Sequence, residues 1–111
     1  MKLYAEYLKE TSGRECVYTD SYFYTYIIKN EVIHLEEVYI SKEKRNTGLI
    51  DKIVEDVYKL GKDNNCKYIT SSACVHTFKK VVERTDHILR RNGFVIYGQD
   101  ENMINYVMEI K

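Results

Sequence analysis

The sequence predicts an α+β fold: a mixed, mostly antiparallel sheet with one parallel βαβ crossover and two main helices. Three observations lead there. Two segments repeat apolar residues near every 3.6 positions, the mark of amphipathic helices. The chain around them is rich in the β-branched and aromatic residues that suit strands. One helical segment lies between two strands, which implies a right-handed parallel connection. A chain of 111 residues supports one core and not two, so residues 1–111 are expected to form a single domain.

The elements follow in order. Lys2 to Leu8 alternates enough to read as a strand, ending at the turn-forming Thr11-Ser12-Gly13. Cys16 to Tyr18 reads as a short strand and Tyr22 to Lys29 as a longer one. Asn30-Glu31 is then a tight turn into the strand Val32 to Ile40. The first helix is read from Leu49, Ile50, Ile53, Val54, Val57 and Leu60, with Asp51, Lys52, Glu55, Asp56, Lys59 and Lys62 on its wet face. After the polar break Lys62 to Asn65 comes a strand from Lys67 to Val75. Phe78, Val81, Val82, Thr85, Ile88 and Leu89 draw the second helix. Two starts fit it, a cap at Thr77 or a shorter helix from Thr85. Its end is set by Gly93, a left-handed C′ residue followed by the apolar Phe94. Phe94–Tyr97 and Met103–Ile110 close the chain as antiparallel strands around a polar loop.

Composition narrows the function. Seventeen basic and seventeen acidic residues cancel, which disfavours a general nucleic-acid binder. A basic helix face of Lys79, Lys80, Arg84, Arg90 and Arg91 keeps nucleic acid or an acidic partner as a minor reading, with solvation the default. Tyrosine occurs eleven times, and on strands it is expected as half-buried packing with a wet hydroxyl. Cys16, Cys66 and Cys74 show no C-x-x-C spacing. Cys66 and Cys74 fall on one predicted strand, too far apart to bridge. The odd count and the lack of a secretory N-terminus point to a reducing cytoplasm. No segment reads as a membrane span. His34, His76 and His87 with the cysteines have no zinc-ligand spacing, so no metal is expected. Cys74 and His76 lie two apart without an orienting carboxylate, and a buried cysteine is the simpler reading.

Between the Val32–Ile40 strand and the first helix lies Lys44-Arg45-Asn46-Thr47-Gly48. A glycine at a helix start lets free backbone N–H groups approach an anion, and the helix dipole favours negative charge there. The physics alone therefore offers a phosphate cradle at the carboxyl end of a strand. Arg45-x-x-Gly48-x-Ile50 resembles the Gln/Arg-x-x-Gly-x-Gly/Ala pyrophosphate loop of the GNAT acetyltransferases. Arg91-Asn92-Gly93-Phe94 resembles the Gly-Phe that ends that family's last helix. Element order agrees over nearly the whole chain, closest to compact GNAT-like proteins of tailed bacteriophages, whose setting would be the host cytoplasm.

The resemblance implies an N-acetyltransferase that moves an acetyl group from acetyl-CoA to an amine, with residues assigned position by position. The pyrophosphate would meet the backbone of Asn46, Thr47, Gly48, Leu49 and Ile50, with Arg45 beside it. The pantetheine arm would lie along the backbone of Val38, Tyr39 and Ile40. His34 falls where some relatives hold a catalytic glutamate, and Glu36 lies two residues on, on the same strand face. Either is a candidate base, set against the plainer reading of a satisfied polar pair. Two positions depart from the family. Ile50 stands where Gly or Ala is usual, and Leu89 stands where many relatives place the tyrosine acid. Tyr97 and Tyr106 are substitutes without positional support.

Relatives also carry two helices between their first and second strands, and Thr11 to Glu15 leaves no room for them. The acceptor site is then expected to lack a wall, so that homodimerisation through Tyr4 to Tyr26, or a protein-sized amine acceptor, completes it. The rival reading is a catalytically inactive GNAT-like domain that binds a protein partner beside a vestigial CoA cleft.

Overall fold

The computed structural model describes residues Met1–Lys111. The elements run α1 (Lys2–Ser12), β1 (Glu15–Tyr18), β2 (Tyr22–Lys29), β3 (Val32–Ile40), α2 (Leu49–Asp63), β4 (Tyr68–Cys74), α3 (Lys79–Arg91), β5 (Val95–Gln99) and β6 (Met103–Glu109), with a 3₁₀ turn at Lys42–Lys44. Six strands form one sheet in the order β1-β2-β3-β4-β6-β5. Only β3 and β4 pair in parallel; the other neighbours are antiparallel. The α+β class and the single parallel crossover are as the sequence predicts.

The first element is not. Lys2 to Leu8 is the body of helix α1, not a strand. Seven residues are too few to separate period 2 from period 3.6, and the local choice goes to helix. Lys, Leu, Ala and Glu are good helix formers, and Tyr4, Ala5 and Leu8 turn inward while Leu3 and Tyr7 stay exposed. Gly13 ends the helix in the left-handed region, its N–H donating to the Lys9 carbonyl. Cys66 is a second correction: it precedes β4, buried in the α2–β4 connection, whereas Cys74 ends the strand. All three cysteines are free. Asn30 and Glu31 both take positive φ, as a tight hairpin turn between twisted strands demands.

The core lies between the sheet and the α2/α3 pair. Ile33, Leu35, Ile69, Ala73 and Tyr106 meet Ile53, Val54 and Val57 of α2, Leu89 of α3, and Phe94. Helix α2 comes so close to the sheet that a Cβ on Gly61 would stand 3.0 Å from Ile33 Cγ2 and closer still to Ile110. The ends of the two helices are tied by Asp51, which accepts from Arg91 and Asn92. Strand alternation puts α1 on the other face. Tyr24 belongs to the α2-side core, so its neighbour Phe23 points away, and there the Tyr4 ring packs edge-on against it at 6.0 Å.

Candidate active site

The parallel ladder between β3 and β4 is short. It runs from Val32↔Tyr68 to Leu35↔Ser71 and stops. From there β3 continues to Ile40 paired only with β2, and β4 continues to Cys74 paired only with β6. The two strands therefore part, leaving one backbone edge of Glu36–Ile40 facing a cleft. The local cause is a bulge. Leu35 opposes Tyr26 and Glu37 opposes Thr25, so Glu36 is an extra residue with no partner on β2. Burial changes at the same point, from alternating over Val32–Leu35 to exposed over Glu36–Tyr39.

At the far end of the exposed half lies the cradle. Gly48 is the N-cap of α2 with φ 85°, and a Cβ added there would meet nothing within 4 Å. Asn46 also takes positive φ. The first turn of α2 has no side-chain cap. Thr47 is turned back, its hydroxyl donating to the Lys44 carbonyl. Arg45 folds onto the strand end, its Nε donating to the Ile40 carbonyl at 3.0 Å and its guanidinium stacked 5.5 Å from the centre of the Tyr39 ring. Leu49 and Ile50 are half-buried, and neither belongs to the core that α2 forms with the sheet. Asp51, an anion in the first turn, is neutralised from α3. Hydrogen bonds from Asn92 and then Arg91 hold its carboxyl below the usual range.

The candidate bases meet on the α1 face where the strands part. His34 Nδ1 lies 2.7 Å from Thr70 Oγ1, and its Nε2 lies 3.5 Å from Glu36 Oε1. The same oxygen accepts from Arg14 at 3.3 Å. Both ring nitrogens of His34 thus face protein groups, while Glu36 Oε2 has no protein partner. The bulge also brings Glu37 to this face, where it accepts from the Tyr4 hydroxyl at 2.5 Å. That carboxylate raises the Tyr4 phenol to about 12. Sequence reasoning missed Arg14, Thr70, Glu37 and Tyr4. The register and the bulge that gather them are tertiary, and reading α1 as a strand hid Tyr4.

The tyrosine substitutes do not reach the cleft chemistry. Tyr106 is fully buried with its hydroxyl donating to Asp86 at 2.6 Å, and burial followed by that carboxylate pushes its pKa far up. A phenol so held is a poor proton donor. Tyr97 is exposed on the edge strand β5, and Leu89 is packed in the core. No group of three His, Cys, Asp or Glu side chains gathers as a metal site. Hollows of about 310 and 340 Å³ flank α2 and touch neither the cleft nor the cradle.

A sheet whose central parallel pair splays beside a glycine-opened helix is the fold of the GNAT acetyltransferases. A protein described as a GNAT-family acetyltransferase from Desulfovibrio desulfuricans superposes with a TM-score of 0.79 at 14% identity, over 99% of this chain and 78% of that one. A Bacillus subtilis acetyltransferase solved with CoA gives 0.69 at 12% identity, over 96% and 84%. Nourseothricin acetyltransferase gives 0.73 at 14% identity, over 88% of this chain, which spans only 65% of that enzyme's length. At such identities the likeness is one of fold. No protein-family profile and no curated protein sequence matches the chain.

Helix α1 lies on the face of the sheet that carries Glu37 and ties to it through Tyr4. No helix of the chain is long and apolar enough to cross a membrane.

Proposed function

We propose that the chain is an N-acetyltransferase that moves an acetyl group from acetyl-CoA to an amine. One observation carries this: the unpaired backbone edge of Glu36–Ile40 runs from a carboxylate–imidazole pair at one end to an anion cradle at the other. Acetyl-CoA brings an acyl thioester with a good leaving thiolate. The chain's residues do the rest. The backbone of Asn46, Thr47, Gly48, Leu49 and Ile50 with Arg45 holds the pyrophosphate. Val38, Tyr39 and Ile40 present main-chain groups to the pantetheine arm and the thioester carbonyl.

Glu36 Oε2 takes the amine proton, directly or through water, as the C–N bond forms and the C–S bond breaks. His34 and Arg14 hold that carboxylate in place. No side chain is assigned as the acid for the leaving thiolate. The acceptor approaches from the α1 face. The exposed Leu3 and Tyr7 on the outer surface of α1 favour a protein-sized amine or a second copy of the chain as the partner there.

A second reading rests on Leu89 and Tyr106. With Leu89 apolar and the buried phenol of Tyr106 committed to Asp86, the cleft would bind CoA without turnover. Calorimetric titration with acetyl-CoA, followed by mass detection of acetylated amines in a panel of small amines and lysine peptides, separates the two. Binding with transfer supports the enzyme, binding alone supports the inactive domain, and no binding at millimolar acetyl-CoA overturns both.

A further inference from the structure

Strand β4 has neighbours on both sides and lies under the α2/α3 layer, a position that ordinarily carries an unbroken apolar run. Its middle instead reads Thr70-Ser71-Ser72. The three hydroxyls go to three places. Thr70 meets His34, Ser72 donates to Asn105 Oδ1 on β6 at 2.9 Å, and Ser71 donates to the Leu35 carbonyl at 3.1 Å. Ser71 is the informative one. It is 7% exposed, on the core face of the strand between Ile69 and Ala73, where a hydroxyl gains nothing from packing. Its bond crosses from β4 to β3 at the last rung the two strands share, Leu35↔Ser71.

We propose that Ser71 is a positioning residue that pins β3 to β4 at the rung where they part. The inference rests on the acetyl-CoA reading above and concerns the same cleft. Two devices act on one point from opposite strands. The extra residue Glu36 turns β3 away from its straight course, and the Ser71 hydroxyl stops the separation from running back past Leu35. The pin thereby fixes how deep the cleft runs. It also sets where an acyl group entering along Val38–Ile40 comes to rest relative to Glu36. Without the hydroxyl, the Leu35 carbonyl loses its side-chain donor and the parting point is free to shift by a rung. The cradle at Arg45–Ile50 lies at the other end of the exposed half and is untouched.

The test uses Ser71→Ala and Ser71→Thr in the full chain. In the protein alone, amide exchange at 33–35 and 69–71, the last rungs the two strands share, should quicken about 2- to 10-fold in Ser71→Ala, the equivalent of one net hydrogen bond. Amides of β1 and β5 should not change, and Ser71→Thr should stay near wild type. Acetyl-CoA, which spans cradle and cleft, should bind Ser71→Ala about 2- to 10-fold more weakly on the same ground. ADP, which reaches only the cradle, should bind the variant as it binds wild type. Equal weakening of both ligands, exchange that quickens across the whole sheet, or no change at the parting point would each overturn the pin. If wild type binds neither ligand, the acetyl-CoA reading fails, and the exchange measurement alone then decides whether Ser71 holds the strands.

Discussion

Strand β3 is two strands in one. Over Val32–Leu35 it is paired on both edges, and its side chains alternate between core and half-buried positions. Over Glu36–Ile40 it keeps only its β2 partner, and four of its five residues are exposed. The first half is explained by packing: Ile33 and Leu35 are buried against α2 and fix the register, because a one-residue slip would turn them out. The second half is not. A bare main-chain edge in the middle of a sheet is a liability unless something uses it. The chain gives up sheet pairing at its centre and leaves main-chain groups available there, beside a helix start with no side-chain cap.

The largest effect is expected at the helix start beside the exposed half. Gly48→Glu puts a carboxylate into the open space before α2 and forces a side chain into positive φ. Acetyl-CoA binding should be lost in calorimetry, while stability falls by only about 1–2 kcal/mol, the left-handed penalty. Glu36→Gln should come next. It keeps the bulge and the shape but removes the proton acceptor, so kcat should fall about 10²- to 10⁴-fold with little change in acetyl-CoA affinity. His34→Ala should fall less, since the imidazole orients the carboxylate. If both variants keep full activity on a genuine substrate, the assignment of the base is wrong.

The paired half should answer in the opposite sense. Ile33→Ala should lower unfolding free energy by about 2–5 kcal/mol in denaturant titration, the range for a buried large-to-small change. At a temperature where it stays folded, its acetyl-CoA affinity should be near wild type. A matching loss of affinity would mean that the two halves are not separable.

How far the sequence reached follows the same division. The strand Val32–Ile40, the helix that follows it and the cap at Gly93 were legible, because each is written in local periodicity and glycine placement. Helix α1 was not, since KLYAEYL is too short to separate the two periods, and its helix-forming residues act together with the packing of Tyr4 on Phe23 and its bond to Glu37. The cradle residues were nameable from Arg45 to Ile50. The parting of β3 from β4, the bulge at Glu36, and the Thr70–His34–Glu36–Arg14 chain of contacts depend on cross-strand register, which no single segment carries.

The smallest expected effect tests the tie between the two helices that frame the cradle. Asp51 has a folded pKa below its unfolded value, through Asn92 and Arg91. A depressed carboxyl stabilises the fold above the ordinary carboxylate range, and that contribution is lost as pH falls through the folded value. Asp86, held down first by Tyr106, and Asp100, held down by the Asn102 and Met103 amides, act with the same sign. Melting temperature should therefore decline as pH drops below the ordinary carboxylate range, and Asp51→Asn should flatten part of that decline. An unchanged acid slope in Asp51→Asn would show that the tie carries no linkage.

If the exposed half of β3 and the cradle after it hold one extended ligand, residue-resolved amide exchange with and without saturating acetyl-CoA will show it. Exchange should slow at Val38, Tyr39 and Ile40 and from Asn46 to Asp51, with the β1 and β5 amides unmoved. Protection confined to other surfaces, or none at millimolar acetyl-CoA, would contradict it.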